Sequence, residues 1–287
     1  MAQPSERGGV VMPSPLQDYH GARWWKFDFH THTPASADYG KGPNQELLRQ
    51  ISPDDWLLAY MRAEVDCVAV TDHNSGDWIE RLIAALASLE ADKHPDFRPL
   101  RLFPGVEITA NGGVHILAIL DCSKNAADVA QLLGAVKFYG TRGASDSAAN
   151  ASVIEVVEGI VHAGGIAIPA HVDGPAGAFE LVKGNTLQPL IDSPHLFAIE
   201  VCDSSKPKPE IYRQRKLDWA EVLGSDSHHA AGAAELEQVA ERLVLTPVDF
   251  RRHARRVALQ PDLLHAPFSR LGWILGAWGR RLHQGIR

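Results

Sequence analysis

The sequence predicts an α/β fold in which a mostly parallel sheet is covered by helices. Three observations carry that reading. Seven short apolar runs alternate with longer helix-like stretches from residue 23 onward, and the runs are almost continuously apolar, as strands buried on both faces are. About seven strands over some 200 residues is also the size of a (β/α) barrel, incomplete or distorted, with a doubly wound open sheet as the alternative.

The elements follow in order. Residues 1–22, rich in Pro, Gly and Ser, form an N-terminal arm. The strands expected are Trp24–Phe29, Val65–Thr71, Leu100–Glu107, Val114–Asp121, Gly165–Ala170, Phe197–Val201 and Glu221–Ser225. Between them, Ser52 caps a helix whose first position is Pro53 and whose apolar face holds Trp56, Leu57, Tyr60 and Met61. Further helices are expected over Gly76–Lys93, Ala148–Ala163 and Pro207–Leu217. Ala110–Gly113 (ANGG) reads as a tight turn, making the strands on either side antiparallel and breaking barrel regularity. No internal repeat is visible.

At 287 residues and 45% apolar content the chain can bury one large core. Cys67, Cys122 and Cys202 are scattered in apolar runs without CxxC spacing, which argues for a reducing, cytoplasmic setting rather than a disulfide framework. The N-terminus lacks the basic-then-apolar order of a signal peptide, and no run reaches the roughly 20 apolar residues of a membrane span, so no integral membrane association is expected. The net charge of −7 is uneven: residues 251–287 hold eight arginines and one acid, leaving about −14 on the rest. Such an acidic body is unlike a bulk nucleic-acid binder, although held divalent ions would offset it.

The chemistry collects at strand ends. His30 and His32 follow the first strand at i and i+2, on one side of an extended segment, and Asp38 comes soon after. TDHN places Asp72 and His73 after the second strand, PGVE places Glu107 at the end of the third, and GVHIL holds His115 in the fourth. IPAH puts His171 after another strand, and LGSDSHH puts Asp226 and His228 after the last. Of the adjacent pair His228 and His229, only one can easily face a common centre. The remaining histidines, in loops or on helix faces, are assigned no role. One histidine after one strand is ordinarily structural; six with three acids at equivalent topological points, where a barrel of parallel strands carries its active site, are not.

Imidazole and carboxylate without thiolate suit zinc, manganese or iron and argue against copper(I) or iron–sulfur chemistry. Nine candidate ligands exceed what one ion with an open position can use, so two or three divalent ions are expected, with a carboxylate such as Glu107 bridging. A site of that kind hydrolyses phosphoesters. No GKS/T phosphate loop and no Gly-x-Ser-x-Gly elbow occurs, so no ATPase of its own is expected and the nucleophile is a metal-bound hydroxide.

The order HTHT, SADYG, VTDHN, GVE, VHIL, AH and SDSH resembles the polymerase-and-histidinol-phosphatase (PHP) family of metal-dependent phosphoesterases, over Lys26 to His229. The resemblance implies a distorted seven-stranded (β/α) barrel over residues 23–230. It implies that His30, His32, Glu107 and Asp226 hold one ion, that Glu107 bridges to a second held by His115 and His171, and that Asp38, His73 and His228 hold a third. Asp38 stands where many members have a histidine or another acid, a departure that falls on the third site. WWKFDFHTHTPAS and DCVAVTDHNSGDW look like PHP modules that accompany ATPase-linked, nuclease-like proteins. That implies a nucleotide or nucleic-acid phosphodiesterase with a possible ATPase partner. The alternatives are a small-molecule phosphomonoesterase and a non-catalytic partner module of a separate ATPase.

Arg142 in YGTRGAS is the first candidate to hold phosphate oxygens, followed by Lys137 and Lys206. Asp72 is expected behind a ligand histidine, orienting it. Residues 231–287, with RRHARR and a basic amphipathic end, form a helical extension that packs on the barrel or contacts a partner, a membrane surface or nucleic acid.

Overall fold

The computed structural model describes residues 25–229 except 204 and 208, so the N-terminal arm and the C-terminal extension lie outside the described residues. All seven expected strands form: β1 (Phe27–Asp28), β2 (Cys67–Val70), β3 (Arg101–Thr109), β4 (His115–Ile119), β5 (Ile166–Pro169), β6 (Ala198–Val201) and β7 (Ala220–Leu223). They do not make one continuous ladder. β1 to β5 form a five-stranded sheet in sequence order, and β6 and β7 form a separate parallel pair.

At each seam a backbone hydrogen bond joins the two sheets. The Val172 N–H donates to the Glu200 carbonyl beyond β5, and the His32 N–H donates to the Ser227 carbonyl beyond β1. β4 is antiparallel to both its neighbours, and the other sheet pairs are parallel. The ANGG turn accounts for the reversal: Gly112 and Gly113 take φ of +95° and +82°, a region open to glycine. The Gly113 N–H closes the turn onto the Ala110 carbonyl.

Period-two alternation divides the strand residues between two cores. Val68, Val70, Ile116, Ala118 and Leu120 face the helices, in one cluster with Trp56, Ile79, Leu82, Val129, Val156 and Ile160. Cys67, Ala69, Leu117, Ile119, Ile168, Ala198 and Val222 turn the other way and form a single inner cluster. Both sheets contribute to that inner core, so they enclose a common interior.

The helices are α1 (Gln45–Leu48), α2 (Pro53–Arg62), α3 (Ile79–Ala91), α4 (Ala126–Ala135), α5 (Val153–His162), α6 (Ala178–Leu181), α7 (Leu187–Ile191) and α8 (Glu210–Gln214). Ser52 caps α2 by accepting from the Asp55 N–H, with Pro53 at the first position, where its missing N–H costs nothing. Asn125 with Asp128, and Ser152 with Glu155, make reciprocal capping boxes that start α4 and α5. The expected stretch from Ala148 is thus helical only after Ser152. The stretch from Gly76 is helical from Ile79, and that from Pro207 only over Glu210–Gln214.

Candidate metal centre

Glu107, fully buried on β3, is the hub. Its Oε1 lies 2.8 Å from His115 Nδ1 and 3.1 Å from His171 Nε2. Its Oε2 lies 2.7 Å from His73 Nδ1, 3.3 Å from His30 Nε2 and 3.6 Å from His32 Nε2. Asp226 Oδ1 approaches His30 and His32 Nε2 at 3.2 and 3.4 Å, and Asp38 Oδ2 approaches His73 and His228 Nε2 at 3.2 and 3.3 Å. The His228 ring stacks on His32 with centroids 4.1 Å apart. The structure therefore brings together all nine residues expected from the sequence to ligate metal.

Topology delivers them to one end of the sheet. His30 and His32 leave the carboxyl end of β1, and His73 that of β2. His115 is the first residue of β4, but because β4 runs antiparallel its amino end coincides with the carboxyl ends of its neighbours. The register continues the inner face: His115, Leu117 and Ile119 share a side, and Leu117 pairs with Glu107. Three loop residues at this end, Asn74, His171 and Asp226, have left-handed φ of +48°, +29° and +50°, a conformation costly for side-chain-bearing residues and concentrated at functional sites.

The donor set fits divalent cations. His73 Nδ1 and Glu107 Oε2 are buried and only 2.7 Å apart, yet neither has a hydrogen-bond partner of acceptable geometry. Two lone pairs aimed at a shared centre, rather than at each other, give that arrangement. Asp38 Oδ1 is likewise buried without a partner, and His30 and His32 Nε2 meet at 3.2 Å. Three triads, His30–His32–Glu107, His73–Glu107–His115 and His32–His73–His228, each offer ligand atoms within 4.8 Å of one another. The triads share Glu107, His32 and His73. His73 thus groups with Glu107 and His115 as well as with Asp38 and His228, more centrally than the ligand sets drawn from the family resemblance.

Crowding of like and unlike charges splits the histidines. Burial works against a proton on His30, but Glu200, Asp226 and Glu107 outweigh it and hold its pKa well above the usual range. Burial, reinforced by His228 and His73, pushes neighbouring His32 down to about 3. Burial also opposes the charge on His73, yet Asp38 and Glu107 raise it to about 10. His171 and His228 are raised against burial by Glu107 and Asp38 respectively. Burial opposes ionisation of Glu107, Asp226 and Asp38 too, but their histidine partners hold all three low. An ion binding here would compete with protons at His30, His73, His171 and His228, whose pKa values are raised.

Behind the ligands stand buried supports. Asp72 touches no ligand imidazole directly: Oδ1 accepts from the Thr33 N–H and the Ser36 hydroxyl, each at 2.7 Å, and Oδ2 accepts from the Thr33 hydroxyl at 2.6 Å. Ser36 Oγ in turn lies 2.9 Å from His32 Nδ1. Because that hydroxyl proton goes to Asp72, Ser36 accepts from His32 Nδ1–H, which leaves Nε2 with a free lone pair toward the centre. Burial raises Asp72 to about 6 despite these bonds. The Trp56 indole N–H donates to the His32 carbonyl at 3.0 Å, tying α2 to the same loop.

Ser36 was not singled out from the sequence, and neither was Glu200, fully buried on β6, with both carboxylate oxygens on His30 Nδ1 at 3.0 and 2.8 Å. For Glu200 the signal was a lone acid inside the apolar run FAIEV. Arg142 lies on the exposed surface, 3.3 Å from the equally exposed Asp77, while the next residue, Gly143, donates its N–H to the His73 carbonyl. Lys137 pairs with Glu155 at 3.6 Å, and Lys206 is exposed in the loop before α8.

No family model and no curated protein matches the chain. Among solved structures, the lesion-specific endonuclease Q of Pyrococcus furiosus is 16% identical, with a TM-score of 0.51 over 72% of this chain and 49% of its own. The chain therefore spans about half the length of that enzyme. A protein of Bifidobacterium adolescentis assigned by inference as a metal-dependent phosphoesterase is 17% identical, covering 79% of this chain and 99% of its own at a TM-score of 0.47. A two-domain protein of Bacteroides vulgatus containing a predicted PHP-like metal-dependent phosphoesterase is 15% identical, covering 93% and 74% at a TM-score of 0.41. At these identities the likeness is one of fold. Among the described residues, no helix is long and apolar enough to cross a membrane.

Proposed function

We propose that this chain is a metal-dependent phosphoesterase of the PHP type. It is built on a distorted seven-stranded (β/α) barrel over residues 23–230, and it acts on phosphodiesters of nucleotides or nucleic acid. The observation that carries the proposal is the convergence of six histidines and two further acids, Asp38 and Asp226, on and around the buried Glu107 carboxylate. Two or three ions such as manganese, zinc or iron held there supply an activated water and neutralise charge on phosphoryl oxygens. Glu107 presents Oε1 to His115 and His171 and Oε2 to His73 and His30, so it would be the residue to serve ions on both sides of the hub. Ser36, backed by Asp72, keeps His32 in the tautomer that binds metal. Arg142 reaches nonbridging phosphate oxygens from the rim, carried by a loop fastened to the His73 carbonyl through Gly143.

The fold shared with endonuclease Q, a lesion-specific endonuclease, supports the diester reading. A small phosphomonoester is the second reading, favoured by the depth of a site whose His30 and Glu107 are wholly enclosed. The ATPase partner implied by the resemblance gains no support from the solved structures and is not part of the proposal. Comparing phosphate release from mononucleotides with shortening of end-labelled oligonucleotides separates the two substrates, with His30→Ala as the blank. Equal activity in wild type and variant would show the site to be misassigned.

A further inference from the structure

We propose that Glu200, with space reserved for it by Gly224, is a positioning residue that sets two candidate ligands at once, His30 and His171. The inference rests on the reading that the cluster binds metal. The Glu200 carboxylate takes His30 Nδ1 between its oxygens at 3.0 and 2.8 Å, and Oε2 also accepts the His171 N–H at 2.8 Å. A carboxylate can only accept from His30, so the proton is fixed on Nδ1 and Nε2 faces Glu107 and Asp226. The same oxygen fastens the backbone of His171, a residue held at φ +29° whose Nε2 meets the opposite oxygen of Glu107. One buried acid thus fixes the separation between ligands on the two sides of the hub.

Gly224 completes the device. It follows β7 on the same inner-facing parity as Val222, and a Cβ there would overlap the Glu200 carboxylate oxygen outright. Its φ is not in the left-handed region, so glycine is required by the carboxylate and not by the backbone. Any larger residue would drive Glu200 off His30. The support therefore has two parts, one on each strand of the β6–β7 pair.

The test is a double-mutant cycle of Glu200→Ala and Gly224→Ala, read by zinc affinity in chelator competition and by ¹⁵N-histidine spectra of zinc-loaded protein. His30→Ala assigns the His30 signals. Each single variant should weaken zinc binding about 10–100-fold, the usual cost of removing a group that orients a metal-bound histidine. Each should also abolish the slowly exchanging His30 Nδ1–H signal. In the double variant Gly224→Ala should add nothing, because no carboxylate remains for its methyl group to strike. Glu200→Gln, which keeps one acceptor oxygen, should recover part of the affinity as a single variant, and Glu200→Ser, whose short side chain lacks the carboxylate that the Gly224→Ala methyl group would strike, takes the place of Glu200→Ala in the cycle if the latter does not fold.

Wild-type affinity and an unchanged His30 signal in the variants would overturn the proposal, as would full additivity in the double variant. Failure of the wild type itself to bind zinc would instead overturn the metal reading beneath it.

Discussion

Removing the Asp72 carboxylate should cost both stability and metal affinity, and the two costs arise from different bonds. Asp72 is fully buried and accepts three hydrogen bonds, two from Thr33 and one from Ser36. In Asp72→Ala the Thr33 N–H has no acceptor left, while the two hydroxyls can turn to other partners. One orphaned buried donor costs about 1–3 kcal/mol, and with the lost charge-assisted bonds the expected destabilisation is about 2–4 kcal/mol. That is a large share of the roughly 5–15 kcal/mol that holds a typical domain folded.

The second cost is chemical. Once freed, the Ser36 hydroxyl can donate to His32 Nδ1, moving the ring proton to Nε2 and blocking the ligand position. Affinity for the ion that His32 touches should fall about 10–100-fold. Asp72→Asn keeps an acceptor at the Oδ1 position and should lose less of both. Urea unfolding of metal-free protein measures the first effect, and chelator competition the second. Stability within about 0.5 kcal/mol of wild type and unchanged metal affinity in Asp72→Ala would refute the reasoning, since that is the range of a surface substitution.

Three further outcomes follow from the geometry. Gly105→Ala would place a Cβ 2.6 Å from the Ala118 backbone carbonyl, and a backbone atom between paired strands cannot yield cheaply, so the strand that carries Glu107 should lose about 1–3 kcal/mol in urea unfolding. Ser152→Ala removes one half of the α5 capping box and should cost about 1 kcal/mol by the same measurement, with metal binding unaffected. Metal uptake should release protons. His73 is raised to about 10, so at pH 7 its imidazole carries a proton that an ion must displace, and the upward shifts of His30, His171 and His228 act in the same direction. Apparent affinity should therefore rise with pH, by about tenfold per unit for each proton released. Calorimetry in buffers of different ionisation enthalpy counts those protons, and a count of zero would contradict the electrostatics of the site.

Much of the strand framework was legible in the sequence because buried strands are short apolar runs with a polar residue at one end. β2, expected over Val65–Thr71 and found over Cys67–Val70, is an example. The helix starts were less legible: Asn125 and Ser152 open α4 and α5 by capping boxes, yet α4 is not among the expected helices and the stretch expected from Ala148 starts five residues ahead of α5. Those boxes are written in the sequence as Asn-x-x-Asp and Ser-x-x-Glu, so the signal was present. The division into five-stranded and two-stranded sheets was not legible, since strand pairing depends on how tightly each seam closes and not on the strands' own residues.

At the site, histidines and acids at strand ends could be collected because that end of a parallel sheet gathers them. The supports escaped for a different reason. Glu200 resembles any isolated acid until the parity of Ala198 and Glu200 is combined with the knowledge that β6 is buried on both faces. Asp72 is expected behind a ligand histidine, and the hydroxyl of Ser36 lies between it and His32, a link that only the three-dimensional path of the Pro34–Asp38 loop creates.

The most direct test of the central claim is the number of ions the chain binds. After loading with manganese or zinc and removal of excess, elemental analysis of the full chain should give at least two ions per molecule. Glu107→Ala should lose more than one of them, because the hub carboxylate faces histidines on both sides. Fewer than two ions in the wild type, or an unchanged count in Glu107→Ala, would contradict a multinuclear site organised around Glu107.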